Sequence, residues 1–187
     1  WVIKIDENGT KNWDKKYGAD DHDQCQGTLK TNDGGYLLSG ISKSNNTTDD
    51  KSEPSRGDHD FWIVKIDSLG NKTWDKTYGG AEFDSCKQAI VTADGGYLLV
   101  GDTNSSLGGD ITQSGQGGRD YWIVQIDALG NKLWDKRFGG GEDDVPQRVI
   151  TTSDGGILLV GSSSSGTGGD KSEQSHGNSD FWILKIS

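Results

Sequence analysis

The chain has 187 residues, 29 of them glycine, and its 19 Lys and Arg against 29 Asp and Glu leave a net charge of −10. Glycine stands at more than twice its average usage of about 7%, and the acidic balance excludes a phosphate-neutralising nucleic-acid binder or a protein held to an anionic membrane. Apolar runs such as Ile157–Val160 are too short to span a bilayer as helices, so no membrane insertion is expected.

The first expected strand occupies residues 1–6 and opens on Trp1-Val2-Ile3-Lys4. That tetrad returns as Trp62-Ile63-Val64-Lys65, Trp122-Ile123-Val124-Gln125 and Trp182-Ile183-Leu184-Lys185, at spacings of 61, 60 and 60. A second strand, 11–17, carries Trp13, which recurs as Trp74 and Trp134, each continuing Trp-Asp-Lys. Asp-Gly-Gly follows at Asp33, Asp94 and Asp154, then Tyr36-Leu37-Leu38, Tyr97-Leu98-Leu99 or Ile157-Leu158-Leu159. In the second copy the strands are expected at 60–67, 72–78, 87–92 and 97–101. Ser68-Leu69-Gly70-Asn71 and Asp94-Gly95-Gly96 supply the turns, where glycine provides positive φ. The run at 97–101 is almost continuously apolar, as in a strand buried on both faces. A long polar stretch then closes on Asp60-Phe61, Asp120-Tyr121 or Asp180-Phe181.

No segment sustains a 3.6-residue period, so the chain reads as all-β. Four antiparallel strands per copy, repeated in tandem, are the blades of a β-propeller. Repeats 1–61, 62–121 and 122–181 and the start of a fourth, 182–187, form a single segment. All seven tryptophans, Trp1, Trp13, Trp62, Trp74, Trp122, Trp134 and Trp182, fall on two repeat positions. They read as structural wedges between sheets rather than a row of stacking platforms.

The set Asp-Gly-Gly-Tyr-Leu-Leu-Val-Gly, Asp-Tyr-Trp-Ile-Val, Gly-Asn-Lys and Trp-Asp-Lys, with the loop Gly169-Asp170-Lys171-Ser172-Glu173, resembles kelch-like propeller repeats. Such repeats occur in secreted and surface-anchored proteins of Bacteroidetes-type bacteria that are often type IX secretion cargo. The resemblance implies an extracellular or cell-surface location. It also implies a strand order running outward from the 87–92 type through 97–101 and 62–67 to 72–78. The chain then holds two complete blades and two partial ones. Closed propellers need about four to eight blades, so the expectation is a piece of a longer propeller or a unit that completes itself by self-association.

Two loop sets fall on one face. The acidic residues Asp21 and Asp23, Glu82 and Asp84, Glu142 and Asp144 precede the innermost strands. They are candidate oxygen ligands for Ca²⁺, against the alternative of Asp accepting backbone N–H bonds in turns; no other cofactor is expected. Asp50 and Asp60, Asp110 and Asp120, Asp170 and Asp180 bracket the long loops. They read either as ligand-binding fingers or as pins at the loop base with variable tips between them. His22, His59 and His176 are not repeat equivalents and read as isolated loop side chains. Cys25 and Cys86 share one repeat position, which Pro146 fills in the third copy, and read as two small half-buried thiols rather than a bridge. The sequons at Asn8, Asn45, Asn46, Asn71 and Asn104 read as incidental in a bacterial chain.

Every strongly repeated residue has a packing or turn explanation, and no acid–base or nucleophile set breaks the repeat. The leading expectation is a non-catalytic scaffold or adhesion module that binds protein or surface glycan. The alternatives are a calcium-dependent lectin-like propeller and a glycan-processing enzyme.

Overall fold

A computed structural model describes residues 1–47 and 49–187. It contains thirteen strands and, among the described residues, no helix that could cross a membrane. β1 (Val2–Ile5) and β2 (Lys11–Lys15) make a two-stranded sheet. β3 (Asp23–Lys30), β4 (Tyr36–Ser42), β5 (Asp60–Ile66) and β6 (Lys72–Tyr78) make the first complete blade. β7 (Asp84–Val91), β8 (Tyr97–Thr103), β9 (Asp120–Ile126) and β10 (Lys132–Phe138) make the second. β11 (Asp144–Thr151), β12 (Ile157–Ser163) and β13 (Asp180–Ile186) form a three-stranded sheet. The fold is all-β, with two complete propeller blades and two partial ones, each ladder antiparallel and running in the expected strand order.

The innermost strands begin earlier than the sequence signals place them. Asp23, Asp84 and Asp144 are the first residues of β3, β7 and β11, not loop residues ahead of them. The preceding copy's main chain draws two of them into the ladder: Asp84 N–H donates to His59 O and Asp144 N–H to Arg119 O, both at 2.6 Å. Just inside these strands each ladder slips register, at Cys25/Gly27, Cys86/Gln88 and Pro146/Arg148. A bulge there is where a strand tolerates proline, which accounts for Pro146. Cys25 is exposed and Cys86 fully buried, and both thiols are free; burial pushes the Cys86 thiol up to about 12.

Side chains alternate across each strand, so successive residues serve successive interfaces. Phe61 packs forward on Trp122 with ring centroids 4.7 Å apart, and Tyr121 packs forward on Trp182 at 4.6 Å. Around the first pair gather Leu37, Ile63, Leu99, Val124 and Ile126; around the second, Leu98, Val100, Ile123, Val149 and Leu159. Trp62, Val64 and Ile66 face backward onto Val2 and Trp13 of the first sheet.

Among the first tryptophans of the copies, burial follows the number of neighbouring sheets. Trp122 is completely buried and Trp62 nearly so, whereas Trp1 is 80% exposed because no sheet lies behind it. The second tryptophan of each copy lies further out. Trp13 and Trp74 rest on the hairpin glycines Gly70 and Gly130 of the next blade. The hydroxyls of Tyr17 and Tyr78 donate to the carbonyls of the same two glycines at 2.5 Å. Trp134 has no such hairpin ahead of it and is 42% exposed.

Candidate functional site

The repeated carboxylates gather at one rim of the blades. Strand register sets them in rows: Asp23–Ser42–Asp60, Asp84–Thr103–Asp120 and Asp144–Ser163–Asp180. Adjacent rows meet at the double glycines Gly79-Gly80 and Gly139-Gly140 that follow the outer strands of the two complete blades. A side chain at Gly79 would strike Asp60 Oδ1 and come 2.7 Å from Asp84 Oδ2; one at Gly139 would strike Asp120 Oδ1. The calcium candidate Asp84 and the loop candidate Asp60 therefore belong to one inter-blade pair, and Asp144 and Asp120 to a second.

Each carboxylate uses one oxygen to hold a loop. Asp60 Oδ2 accepts from Arg56 N–H at 2.5 Å, Asp120 Oδ2 from Gln116 N–H at 3.0 Å and Asp180 Oδ2 from His176 N–H at 2.8 Å. These bonds pin the far end of the long loop. Asp84 Oδ2 accepts from Gly80 N–H and Ser105 Oγ, and Asp144 Oδ2 from Gly140 N–H and Ser165 Oγ. Asp23 Oδ2 accepts from Ala19 N–H at 2.7 Å.

Asp50, Asp110 and Asp170 clasp the preceding unit. Their carboxylates accept from Gly18, Gly79 and Gly139 N–H, and their own N–H groups donate to the carbonyls of those glycines. Asp21, Glu82 and Glu142 instead turn their side chains to solvent while their N–H groups bond Ser44, Ser105 and Ser165. Among the described residues no three His, Cys, Asp or Glu side chains gather as a metal-holding group.

Burial leaves these carboxylates under electrostatic strain. Asp60, Asp84, Asp120 and Asp144 are fully enclosed, and the Oδ1 of each has no hydrogen-bond partner. Burial pushes the Asp84 carboxyl up to about 7; bonds from Thr103, Gly80 and Ser105 pull it back, and the charge of Asp60 adds to the rise. Burial likewise raises Asp60 and Asp120, against the N–H groups of Arg56 and Gln116.

A buried cation answers this charge in both complete blades but comes from different positions. In the first, Lys51 Nζ lies in the loop and donates to Ser42 Oγ, Ser44 O and Ser55 Oγ at 2.6–3.0 Å. In the second, that loop position is Ile111, and Arg137 of β10 reaches in instead. Its guanidinium donates to Asp120 Oδ2 and Ser105 O at 2.6 Å and to Thr103 O at 3.2 Å. Gly115 stands where the first loop has Ser55, and a Cβ there would come 2.5 Å from the guanidinium. Thr77 stands where the second blade has Arg137. Lys51–Ser55–Thr77 and Ile111–Gly115–Arg137 are thus two sequence solutions to one buried charge.

Several functional side chains escaped the sequence reading. Asp75 and Asp135 of Trp-Asp-Lys accept the indole N–H of Trp62 and Trp122 at 3.1 and 3.0 Å and also hold the long loops through Ser52 and Thr112. Burial raises Asp75, but bonds from Lys72, Ser52 and Trp62 outweigh it and leave the group below the usual carboxylate range. Their signal was an Asp recurring inside a strand, where Asp is depleted. Nor are the histidines all isolated: His22 Nδ1 and His59 Nε2 lie 3.2 Å apart, whereas His176 is exposed.

No family model matches the chain. Among curated proteins it is similar to the regulatory protein FlaEY of Caulobacter vibrioides, 24% identical over 115 residues, covering 58% of this chain and 12% of that protein. The match spans a small fraction of that relative's length.

Two predictions follow from the buried charge. Arg137→Thr leaves Asp120 without its cation and lowers stability by about 3–5 kcal/mol, as breaking a buried pair does. Adding Ile111→Lys and Gly115→Ser restores most of it, read as the urea midpoint. The second concerns pH. A carboxyl whose folded pKa is raised favours the folded state while protonated, so its contribution is lost as pH climbs from about 4, the unfolded value, through about 7. The urea midpoint should fall between pH 5 and pH 8, and Asp84→Asn should flatten that slope; an unchanged slope would contradict the assignment.

Proposed function

We propose that this chain is a non-catalytic β-propeller module of the extracellular space or bacterial cell surface, a scaffold whose rim binds protein or surface glycan. One observation carries the reading. The carboxylates repeated in every copy are spent on the fold: Asp60, Asp84, Asp120 and Asp144 are enclosed where no substrate reaches them, and one oxygen of each holds a loop. What differs between copies includes loop residues, the exposed Ser106-Leu107 in one and Gly166-Thr167 in another. Rigid bases carrying variable tips are how binding surfaces are mounted on scaffolds.

The ends of the segment add to this reading. Phe181 is 96% exposed, and Ile183 and Ile150 are exposed on the same sheet; at the other end Trp1, Ile3 and Ile5 are exposed. Inside the molecule the repeat equivalents of these two faces meet as Phe61 on Trp122 and Tyr121 on Trp182. The faces are therefore complementary to each other, and a unit of the same repeat, in the same chain or in a second copy, is the partner that fits them.

Binding to arrayed glycans and to surface-protein extracts tests the rim reading. Exchanging the exposed pair Ser106-Leu107 for the third copy's Gly-Thr should change which ligand is retained while leaving the fold intact. Retention that is indifferent to loop exchange, or hydrolysis of an arrayed glycan, would contradict it.

A further inference from the structure

One cluster departs from the repeat at four positions together. His22 stands where the other copies have Phe83 and Asp143, and His59 where they have Arg119 and Ser179. Asp58 replaces Gly118 and Asn178, and Lys43 replaces Asn104 and Ser164. The backbone around them keeps the repeat pattern. Lys43 N–H donates to His22 O at 2.9 Å, as Asn104 does to Phe83 O and Ser164 to Asp143 O. His59 O accepts from Asp84 N–H and Asp58 N–H donates to Glu82 O, so the loop carrying His59 and Asp58 is fastened to the next blade. The side chains have changed on a main-chain framework whose bonds ahead of the innermost strand recur in the other copies.

These side chains are ordered as a relay. His22 Nδ1 lies 3.2 Å from His59 Nε2, with the rings edge to face. The other nitrogen of His59, Nδ1, lies 3.1 Å from Asp58 Oδ2, and Asp58 Oδ1 lies 3.0 Å from Lys43 Nζ. The His59 ring packs against Phe83 at 5.4 Å and is largely enclosed, while His22 faces solvent. Two nitrogens that each lie about 2.0–2.1 Å from a tetrahedral zinc ion stand roughly 3.3–3.4 Å apart, which is the edge of its coordination tetrahedron. The observed 3.2 Å, at which the two imidazoles share a hydrogen bond, is close to that edge. Histidines that bind metal also commonly turn their second nitrogen to a carboxylate, which fixes the ring and raises its basicity. Asp58 lies beside that place, 3.1 Å from His59 Nδ1, which has no hydrogen-bond partner of its own.

We propose that His22 Nδ1 and His59 Nε2 form a two-histidine site for a divalent cation of the zinc type. Asp58 positions His59, Lys43 holds Asp58, and water completes the coordination. Imidazole donors select this class of ion, whereas calcium takes oxygen ligands. The site therefore differs in chemistry and place from the inter-blade carboxylates. It joins the loop ahead of β3 to the end of the long loop, and through Phe83 it touches the next blade. It is independent of the rim-binding reading and stands or falls without it.

The test is a calorimetric titration of the whole chain with zinc chloride at pH 7.5, made with Cys25→Ser to remove the exposed thiol, and repeated with cobalt(II) while its visible absorption is followed. Saturable binding of one ion per chain is expected. It should be lost in His22→Asn and in His59→Asn, kept in His176→Asn, and weakened by about 10–100-fold in Asp58→Asn. Because His22 is exposed, loss of binding in that variant cannot be attributed to unfolding. Absence of saturable binding, or binding that survives both His22→Asn and His59→Asn, would overturn the proposal.

Discussion

Everything in this molecule follows from sheets that are apolar on both faces. Residues 61 and 62 are both large aromatics on adjacent, opposite-pointing positions, and so are 121 and 122. A sheet of this kind is stable only when covered on each side, and the neighbouring copy provides the cover. Phe61 finds Trp122 and Tyr121 finds Trp182. Buried aromatics of this size dominate packing energetics, with a preference for tilted contacts of this kind adding about 0.5–1.5 kcal/mol per pair. The same rule explains the exceptions. Trp1, Trp134 and Phe181 occupy positions that are covered elsewhere, and each is exposed where the neighbouring element is missing.

Stacking the sheets in this way forces polar groups into the seams. The glycine at the end of each outer strand, Gly18, Gly79 or Gly139, lets the long loop of the next unit approach closely, through Asp50, Asp110 and Asp170. The carboxylates that tie the loop bases are enclosed as a result. Burying them raises the free energy of their charged forms, and the molecule offsets this with a buried cation beneath each loop. Lys51 comes from the loop itself and Arg137 from an outer strand, yet both reach equivalent carbonyls, Ser44 O and Ser105 O.

Strand number, strand order and the inter-sheet role of the tryptophans at 62, 122 and 182 were legible because the repeat supplies an internal control. A residue unchanged in three copies has a backbone or packing duty, and its type discloses which. The start of the innermost strands was less legible. Asp84 looks like a turn residue, and only the carbonyl of His59, 25 positions earlier in the chain, draws it into the ladder. The pairing of Asp60 with Asp84 and of His22 with His59 could not be read for the same reason: it depends on how separate loops converge. Lys51 and Arg137 illustrate a third case. Their exchange is visible as linked differences at 51, 55 and 77 against 111, 115 and 137, but each position alone reads as ordinary variation.

The central claim is that each face of a blade demands a partner of the same kind. The most direct measurement is the mass in solution, by light scattering over a range of concentrations, for this chain and for Phe181→Lys. Phe181 is exposed, so the substitution leaves the internal interfaces untouched. The account predicts assembly beyond the 20.1 kDa of a single chain, lost when Phe181 is charged. A mass that stays at 20.1 kDa at every concentration, or an assembly indifferent to Phe181→Lys, would contradict it.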